Sequence, residues 1–346
     1  MSLMTLPPES ITESGRVLRV TRAWPLPGGT GLSLEFEDSG QRRAGTWDGS
    51  TLHVEPFGAD SRLSALAKLA PAGVVVSHRR GKRAVVHHDD VFIKVVRRGR
   101  ASSILEGIER ASAFAENFRT PQVRAHDEST VSFAELAGHS LHDPSLFSAQ
   151  EWQRAWAASL GAWTRSVRDS GSGSSSPTRP TKEHLAADEI DVLRHWTELV
   201  SPFIDAPDSL RDITEEITDE LARLPEVALR PAHRDLHDKQ LLWSPKEGPG
   251  LLDVDTACLA DPALDLGNLR AHARLRQLQH IWNPEQARAV VEAVDAAASQ
   301  LQLSPHSIQV YERSATLRLG CVYAVRPAYT EVATKMRGLA QRGAAR

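Results

Sequence analysis

The chain has 346 residues, of which 25% are charged, and a formal net charge of −3, so it is long enough for two lobes with sizeable cores. Basic residues are interleaved with acidic ones, which argues against a nucleic-acid-binding protein, and no apolar run approaches the length of a membrane span. Two cysteines, Cys258 and Cys321, argue against a disulfide framework or a thiolate metal site; with no signal-peptide pattern at the N-terminus, they predict a cytoplasmic protein.

The first part of the chain alternates apolar and polar residues between turns, which is typical of short antiparallel strands. Strands are predicted at 17–20, 32–36, 52–54, 84–87, 91–96 and 131–136. Between the last two, from Ser103 to Phe118, apolar residues recur at three- and four-residue steps and predict a helix that ends before Pro121.

After Gly138 the pattern is mainly helical, with one hairpin between the helices. Helix-compatible segments lie at 149–168, 183–200, 208–223, 262–280, 284–302 and 305–340, and a Ser- and Gly-rich connector at 170–180. The fold class is therefore predicted to be α+β. We expect a β-rich extension at 1–75, an N-terminal lobe at 76–137 and a helical C-terminal lobe at 138–346.

Lys94 lies in the middle of the predicted strand Val-Phe-Ile-Lys-Val-Val. A buried ammonium is costly unless an anion meets it, so one interpretation gives Lys94 an anionic partner or ligand. The other places Lys94 on the solvated face of an edge strand, with its stem packed along apolar neighbours. The strand by itself does not decide between them.

The helix that follows supplies two carboxylates for Lys94. Ser103 and Glu106 match a capping box, which would hold Glu106 on the first turn of its own helix. We therefore predict that Glu109 pairs with Lys94, while an exposed position for both glutamates remains the alternative.

A hairpin is predicted from Leu241 to Asp253, with a turn rich in Gly and Pro. If Trp243 pairs with Leu251, then Gln240 and Asp253 lie at the same end. An amide oxygen and a carboxylate are hard donors suited to Mg²⁺. Asp235 lies just upstream and is expected to face the same space, although an Asp in a loop often only caps a turn.

Four further residues near the hairpin are given structural roles. His233 and His237 are expected to anchor the loop by hydrogen bonds. Asp261 precedes Pro262 at a helix start, and Asp265 lies in the first turn of that helix, so both have a capping explanation.

Three blocks in this order resemble a known family. They are 233–240 (His-Arg-Asp-Leu-His-Asp-Lys-Gln), 252–255 (Leu-Asp-Val-Asp) and 261–266 (Asp-Pro-Ala-Leu-Asp-Leu). They are similar to the His-Gly-Asp-x-His-x-x-Asn, Ile-Asp-x-Asp/Glu and Asp-Pro-x-x-Asp-Leu motifs of the aminoglycoside phosphotransferase, or choline-kinase-like, branch of the protein-kinase-like fold. The likeness extends more loosely from about Gly81 to the end.

The resemblance implies a two-lobe kinase-like fold and a role for each matching residue. Asp235 would be the base that faces the substrate hydroxyl, and Gln240 and Asp253 would hold Mg²⁺. Lys94, paired to Glu109, would hold the α- and β-phosphates of ATP or GTP. Backbone groups around Glu135 would meet the nucleotide base.

The chain departs from the family pattern at three places. Gln240 stands where Asn is usual, and Arg234 stands where Gly is usual. There is no glycine-rich phosphate loop, because 77–83 (Ser-His-Arg-Arg-Gly-Lys-Arg) has one glycine among cations. Those cations either neutralise phosphate charge or form a solvated basic turn.

The leading hypothesis is a nucleotide-dependent small-molecule O-phosphotransferase that acts on a sugar, amino sugar or aminoglycoside-like hydroxyl. One alternative is a metallohydrolase that uses His233, Asp235, His237 and Asp253. Another is a non-catalytic nucleotide-binding module, that is, a pseudokinase. The acceptor stays open, since the acidic side chains of 212–220 either attract a cationic amino sugar or form the solvated face of a helix.

Overall fold

The computed structural model describes residues 3–13, 15–169 and 182–342. Its first element is a five-stranded antiparallel sheet in simple chain order: β1 (Ser10–Glu13), β2 (Arg16–Pro25), β3 (Leu32–Asp38), β4 (Gln41–Trp47) and β5 (Leu52–Val54). Strand β4 was not predicted, because its Gln-Arg-Arg start lacks apolar alternation. A tight turn at Ser39 and Gly40, both with positive φ, pairs it with β3.

A short helix, α1 (Leu66–Leu69), leads into a second five-stranded antiparallel sheet in the order β6-β7-β8-β10-β9. The elements that form or interrupt it are β6 (Val74–Arg79), β7 (Arg83–His88), β8 (Val91–Val96), α2 (Ala101–Arg110), α3 (Ser112–Ala115), β9 (Val123–His126) and β10 (Thr130–Ala134). The helix predicted from Ser103 is thus divided in two. Strand β8, which carries Lys94, has β7 and β10 on its two sides and is not an edge strand.

The rest of the chain is mainly helical with short strands between the helices. Its elements are β11 (His139–Ser140), α4 (Ala149–Asp169), β12 (Glu183–His184), α5 (Ala186–Val200), α6 (Pro207–Ala222), β13 (Arg230–Ala232), β14 (Leu241–Ser244), β15 (Gly248–Leu251), β16 (Cys258–Ala260), α7 (Ala263–Leu278), α8 (Pro284–Gln300), α9 (Pro305–Val322) and α10 (Thr330–Arg342). The segment 305–340, predicted as continuously helical, is broken at 323–329, where Pro327 opens a 3-10 turn.

The first sheet packs on both halves of the molecule. Its buried residues, Leu18, Leu34 and Phe36 among them, belong to the same apolar cluster as the core of the C-terminal helices. The backbone N–H of Met4, which precedes the sheet, donates to Pro202 O at 2.8 Å. On β3, the Glu35 carboxylate accepts from the backbone of His78 on β6 at 2.7 Å. The first sheet therefore bridges the second sheet and the helical half.

Two predictions from the sequence are neither confirmed nor contradicted by the structure. The division into 1–75, 76–137 and 138–346 stays a prediction, and the connector predicted at 170–180 lies outside the described residues. Within the residues that the structure describes, no helix combines the length and the apolar character that crossing a membrane requires.

Candidate active site

Lys94 lies on the central strand β8, where its side chain is only 9% exposed. Its ammonium donates to Asp253 Oδ1 and to Asp255 Oδ2, each at 2.8 Å. The buried interpretation of Lys94 is therefore the one that the geometry supports. Two carboxylates share one ammonium, which leaves a net negative charge at this point.

Lys94 and Asp253 stabilise each other's ionised forms. Burial alone would lower the pKa of Lys94, but Asp253 and Asp255 outweigh it and raise that pKa above its ordinary value. Burial would likewise raise the pKa of Asp253, yet the adjacent ammonium and Arg83 bring it well below its ordinary value. Lys94 and Asp253 thus stay charged at neutral pH.

The predicted pair between Lys94 and Glu109 is wrong. Helix α2 packs its Gly107 against the loop that carries Asp255, so closely that a Cβ at position 107 would lie 2.3 Å from Asp255 O. That contact fixes the helix with Glu106 and Glu109 on its exposed face. The capping box is absent too, since the helix begins at Ala101 and its N-cap has no side-chain hydrogen bond.

The hairpin predicted near Asp253 is present, with a different register. Leu241 lies opposite Leu251 and Trp243 opposite Pro249, so the strands are offset by two residues from the predicted pairing. Asp253 follows the hairpin in the left-handed region, at φ 53°. Even so, the Gln240 amide nitrogen lies 3.4 Å from Asp253 Oδ2, so these two side chains are close to each other.

Asp235 lies on the loop between β13 and β14, and its side chain is half exposed. His237 connects it to the hairpin, since His237 Nε2 is 3.8 Å from Asp235 Oδ2 and 3.5 Å from the Gln240 amide. Burial lowers the pKa of His237, so its imidazole is neutral at pH 7. Asp235, Gln240, Asp253 and Lys94 are therefore linked in one continuous chain of contacts.

The loop that carries Asp235 is bound by the side chain of Asp265, which is fully buried. The Asp265 carboxylate accepts the backbone N–H groups of His233 and Arg234 at 2.8 Å each, and the Trp163 indole N–H at 3.0 Å. His233 in turn binds Leu252 O at 2.8 Å. Asp265 thus braces the Asp235 loop directly, and His233 ties that loop to the hairpin.

Arg234 has a positive φ of 73°. An L-residue with a β-carbon is strained in this region and glycine is not, which gives a physical reason for glycine at this position of the motif. The strain lies one residue from Asp235, on backbone that Asp265 holds in place.

A second charge cluster lies behind the loop. Arg276 Nε and Nη2 bind the Asp238 carboxylate at 2.9 and 3.0 Å, and His142 Nδ1 lies 2.5 Å from it. Although burial would raise the pKa of Asp238, Arg276 and His142 bring it well below its ordinary value. Every oxygen of this carboxylate is occupied, so the cluster is structural.

A cavity of about 470 Å³ separates the second sheet from the hairpin. Lys94, Gln240, Asp253 and Asp255 lie at its polar end. Its walls are apolar: Val85, Phe92, Ile104, Ile108, Phe133, Leu136, Leu242 and Leu252. The segment around Glu135 also lines it, and the Glu135 N–H donates to Asp90 O at 2.7 Å. A flat aromatic ring with a polar tail suits these walls and this polar end.

A second pocket of about 400 Å³ adjoins the polar end and shares Lys94, Ile104 and Asp255 with the first. Six basic side chains line it: Arg79, Lys82, Arg83, Lys94, Arg97 and Arg100. Arg97 holds the β6–β7 turn by a bond of 2.7 Å to Gly81 O. Burial, followed by the repulsion of Arg97 and Arg79, lowers the pKa of Lys82. The cations of the turn therefore gather around a shared space.

The ligand set of the metallohydrolase alternative does not assemble. Across 3–13, 15–169 and 182–342, the only His, Cys, Asp and Glu side chains gathered closely enough to ligate a metal are His237, Asp238 and His272. Arg276 and His142 already occupy that carboxylate. Burial also raises the pKa of the Cys258 and Cys321 thiols to about 12, so neither is a thiolate ligand.

Two features of the site were not predicted. Asp255 was present in the quoted Leu-Asp-Val-Asp motif but received no role, and its spacing from Asp253 was the available signal. Arg119 joins the segment after β10 to the hairpin through Ala137 O at 2.9 Å, Glu247 at 2.8 Å and Gly248 O at 2.9 Å. No local pattern marks that role, because the partners are distant in sequence.

Comparison with known proteins gives a family match and several similar folds. The model of a family described as "Phosphotransferase enzyme family" matches residues 76–303. No curated protein matches the chain significantly. A choline/ethanolamine kinase family protein from Mesorhizobium loti is 16% identical, with a TM-score of 0.51 over 82% of this chain and 92% of that one.

Two further structures complete the comparison. Choline kinase from Cryptosporidium parvum Iowa II is 13% identical, with a TM-score of 0.52 over 79% of this chain and 88% of that one. The aminoglycoside phosphotransferase APH(3'')-Id from Streptomyces rimosus ATCC10970 is 17% identical, with a TM-score of 0.48 over 72% and 94%. The TM-scores above 0.5 indicate a shared fold.

Proposed function

Because the chain belongs to the phosphotransferase enzyme family and has its kinase-like fold, we propose that it transfers the γ-phosphoryl group of ATP or GTP to a sugar, amino sugar or aminoglycoside-like hydroxyl. Membership makes it a small-molecule kinase that uses a nucleotide donor. The observation that carries the finer proposal is the chain of contacts from Lys94 through Asp253 and Gln240 to His237 and Asp235.

Asp235 is proposed as the base. The acceptor hydroxyl attacks the γ-phosphorus, the bond from phosphorus to the β-γ bridging oxygen breaks, and the hydroxyl proton passes to the Asp235 carboxylate. The products are a phosphate monoester and a nucleoside diphosphate. Asp265 holds the loop backbone, so Asp235 is oriented before the acceptor arrives, and positioning supplies most of the rate enhancement.

The 470 Å³ cavity is proposed to hold the nucleoside. Phe92 and Phe133 supply apolar surface for a purine ring. Since the Glu135 N–H already binds Asp90 O, the carbonyl of Glu135 and the following backbone groups are the ones proposed to meet the base. Lys94 would then face the α- and β-phosphates. Glu109, which is exposed and does not pair with Lys94, receives no role in this arrangement.

The basic pocket beside Lys94 is proposed to take the place of a glycine-rich loop. Arg83, Lys82 and Arg97 line it together with Lys94, and it opens from the polar end of the nucleoside cavity. A triphosphate carries enough negative charge to relieve the mutual repulsion of these cations. Side-chain charge would do here what backbone N–H groups do in a glycine-rich loop.

Gln240 and Asp253 are proposed to hold Mg²⁺. A carboxylate oxygen and an amide oxygen fit a hard cation, and rotation of the Gln240 amide about its last bond presents its oxygen to the same point. Asp253 Oδ2 is not used by Lys94, which binds Oδ1. When bound, Mg²⁺ would neutralise charge on the β- and γ-phosphates.

The proposal is tested by an ATP- and GTP-consumption screen over sugars, amino sugars, aminoglycosides, macrolides and choline-like alcohols. The variant Asp235→Asn is expected to lower kcat by about 10²–10⁴-fold, with nucleotide binding unchanged. Binding of a fluorescent nucleotide analogue measures the second quantity.

Asp208→Asn is the matched control, because the Asp208 side chain is 93% exposed on α6. Near-normal turnover in Asp235→Asn would contradict the assigned base. Nucleotide binding with no transfer to any hydroxyl compound would favour a non-catalytic nucleotide-binding protein instead.

A further inference from the structure

A third pocket, of about 210 Å³, lies where three distant parts of the chain meet. The first sheet contributes Arg22 and Arg42, the segment after Asp235 contributes Lys239, and the region beyond α9 contributes Arg326. The extension before residue 76, which the family model does not match, thus forms one wall of this pocket.

The pocket has more positive than negative charge. Among the described residues that line it, Glu35 is the only acidic one. Its carboxylate already accepts from His78 N at 2.7 Å and from Thr21 and Ser77 at 3.1 Å. Arg22 also approaches Glu35, at 3.6 Å. Arg276, which lines the pocket as well, is neutralised by Asp238.

Three cations remain uncompensated. Within the described parts of the chain, Lys239, Arg42 and Arg326 form no ion pair with a carboxylate, and Arg326 Nε is buried without a hydrogen-bond partner. The Arg326 guanidinium stacks 4.1 Å from the centre of the Tyr323 ring.

The positive charge of the pocket shifts the pKa of a group that lines it. Burial would raise the pKa of the Tyr323 phenol, yet Arg326 and Arg276 lower it to about 8. An anion between the cations of this pocket would relieve their mutual repulsion.

The pocket flanks the proposed catalytic segment. Lys239 and Gln240 are consecutive residues of one 3-10 helix, Asp238–Gln240; Lys239 lines this pocket and Gln240 lines the nucleoside cavity. Lys239 also lies four residues after Asp235. A ligand in this pocket is therefore separated from the nucleotide by the segment that carries the proposed base.

Four acidic residues of the alternative recognition surface on α6 already have cationic partners. Glu215 pairs with Arg194 at 2.6 Å, Glu216 with Arg313 at 2.8 Å, Glu220 with the same arginine at 2.6 Å and Asp219 with Arg223 at 3.2 Å. These acids serve helix packing and surface pairs, so they do not form a free site for a cationic amino sugar.

We propose that the pocket formed by Arg42, Lys239 and Arg326 binds a phosphate or carboxylate group of the acceptor, so that the acceptor is a phosphorylated or acidic sugar or polyol. This inference rests on the proposed phosphotransferase function and narrows its acceptor class. The extension then has a function in acceptor recognition, because it supplies Arg42 and Arg22.

Direct binding is measured first, with inorganic phosphate as the probe. A non-hydrolysable ATP analogue and Mg²⁺ are kept at saturation so that phosphate does not enter the nucleotide pockets. Calorimetric titration of the full chain is expected to show phosphate binding that weakens about tenfold in Lys239→Met and in Arg42→Met, as expected for loss of one charged hydrogen bond. Arg223→Met is the control, since that side chain is 73% exposed at the C-cap of α6. Absence of binding to the wild type, or equal affinity in all four proteins, would overturn the site.

Turnover then tests the acceptor assignment with matched compounds: glucose, glucosamine, glucuronate and glucose 6-phosphate. The acidic compounds are expected to be the better acceptors, and Lys239→Met to raise their KM about tenfold with the nucleotide KM unchanged. Inorganic phosphate is expected to compete with the acceptor. Inhibition or activation that does not compete would mean a separate effector, and would overturn the assignment to the acceptor.

The two proposals fail in different ways. Transfer to neutral or cationic acceptors only, with no phosphate binding at Lys239, would overturn this inference and leave the phosphotransferase function in place. Phosphate binding that Lys239→Met weakens, without transfer to any hydroxyl compound, would contradict the phosphotransferase function and the acceptor assignment with it.

Discussion

Two buried charge clusters flank the segment 235–240, and they differ in how completely their charges are matched. In the cluster around Asp238, Arg276 binds both carboxylate oxygens and His142 adds a further contact, with Asp238 fully buried. In the cluster around Lys94, one ammonium serves two carboxylates, and 36% of the Asp253 side chain is exposed.

The difference separates a structural role from a functional one. A saturated carboxylate has no capacity left for a ligand, so the Asp238 cluster can only hold the segment in place. In the Lys94 cluster the ammonium binds Oδ1 of Asp253 while Oδ2 faces the Gln240 amide, and the cluster lies at the end of a cavity. Mutations in the first cluster should therefore act on stability, and mutations in the second on nucleotide use.

The largest effect on stability is expected from Arg276→Met. The Asp238 carboxylate would remain buried without its cation, which costs about 3–5 kcal/mol of unfolding free energy. Urea unfolding followed by tryptophan fluorescence measures it. The exposed pair of Arg211 and Glu198 on the surface supplies the control, since Arg211→Met should cost at most about 1 kcal/mol. Equal losses in the two variants would remove the structural distinction.

Lys94→Met is expected to lower turnover strongly and the stability of the fold only slightly. Asp253 and Asp255 reach the water of the cleft, so the loss of stability should be about 1–2 kcal/mol, smaller than that in Arg276→Met. Turnover should fall about 100-fold or more, because the ammonium faces the phosphates in the proposed complex. Steady-state kinetics with unfolding curves on the same samples measures both. A large stability loss with normal turnover would reverse the roles of the clusters.

Acid unfolding should also distinguish the clusters. The pKa of Asp238 lies well below its ordinary 3.8 because of Arg276 and His142, so its ionised form stabilises the fold above about pH 4 and this contribution is lost as the pH falls further. In Arg276→Met the buried carboxylate is expected to have a raised pKa, so the folded state would take up this proton more readily than the unfolded state. The variant should therefore lose less stability on acidification than the wild type does. Unfolding midpoints from pH 7 to pH 3 measure the difference, and superimposable acid limbs would contradict it.

The smallest effect is expected at Arg234, whose φ of 73° strains a residue with a β-carbon. Arg234→Gly should stabilise the fold by about 0.5–1 kcal/mol, as relief of that strain exceeds the entropy lost by glycine. Arg234→Ala keeps the β-carbon and should show no gain. If the two variants gain equally, the effect belongs to the arginine side chain and not to the backbone.

Prediction from the sequence was most accurate for features that depend on residues close together along the chain. The motifs around Asp235, Asp253 and Asp265 lie within about thirty positions, and their order predicted the family. The helices after Gly138 follow periodic patterns, and most of their boundaries agree with the structure within a few residues. The prediction failed for β4, whose polar start is stabilised by pairing with β3, and for 305–340, where Pro327 interrupts the pattern.

By itself, therefore, the sequence determined the fold class, the family and the residues of the motifs. Only the tertiary structure decided which carboxylates meet Lys94, because the close approach of Gly107 to the Asp255 backbone sets the position of α2 and turns Glu109 outward. It also decided that Arg42, Lys239 and Arg326 share one pocket. The physical reason is the same in both cases, since electrostatic contacts depend on distance in space and the partners lie far apart along the chain.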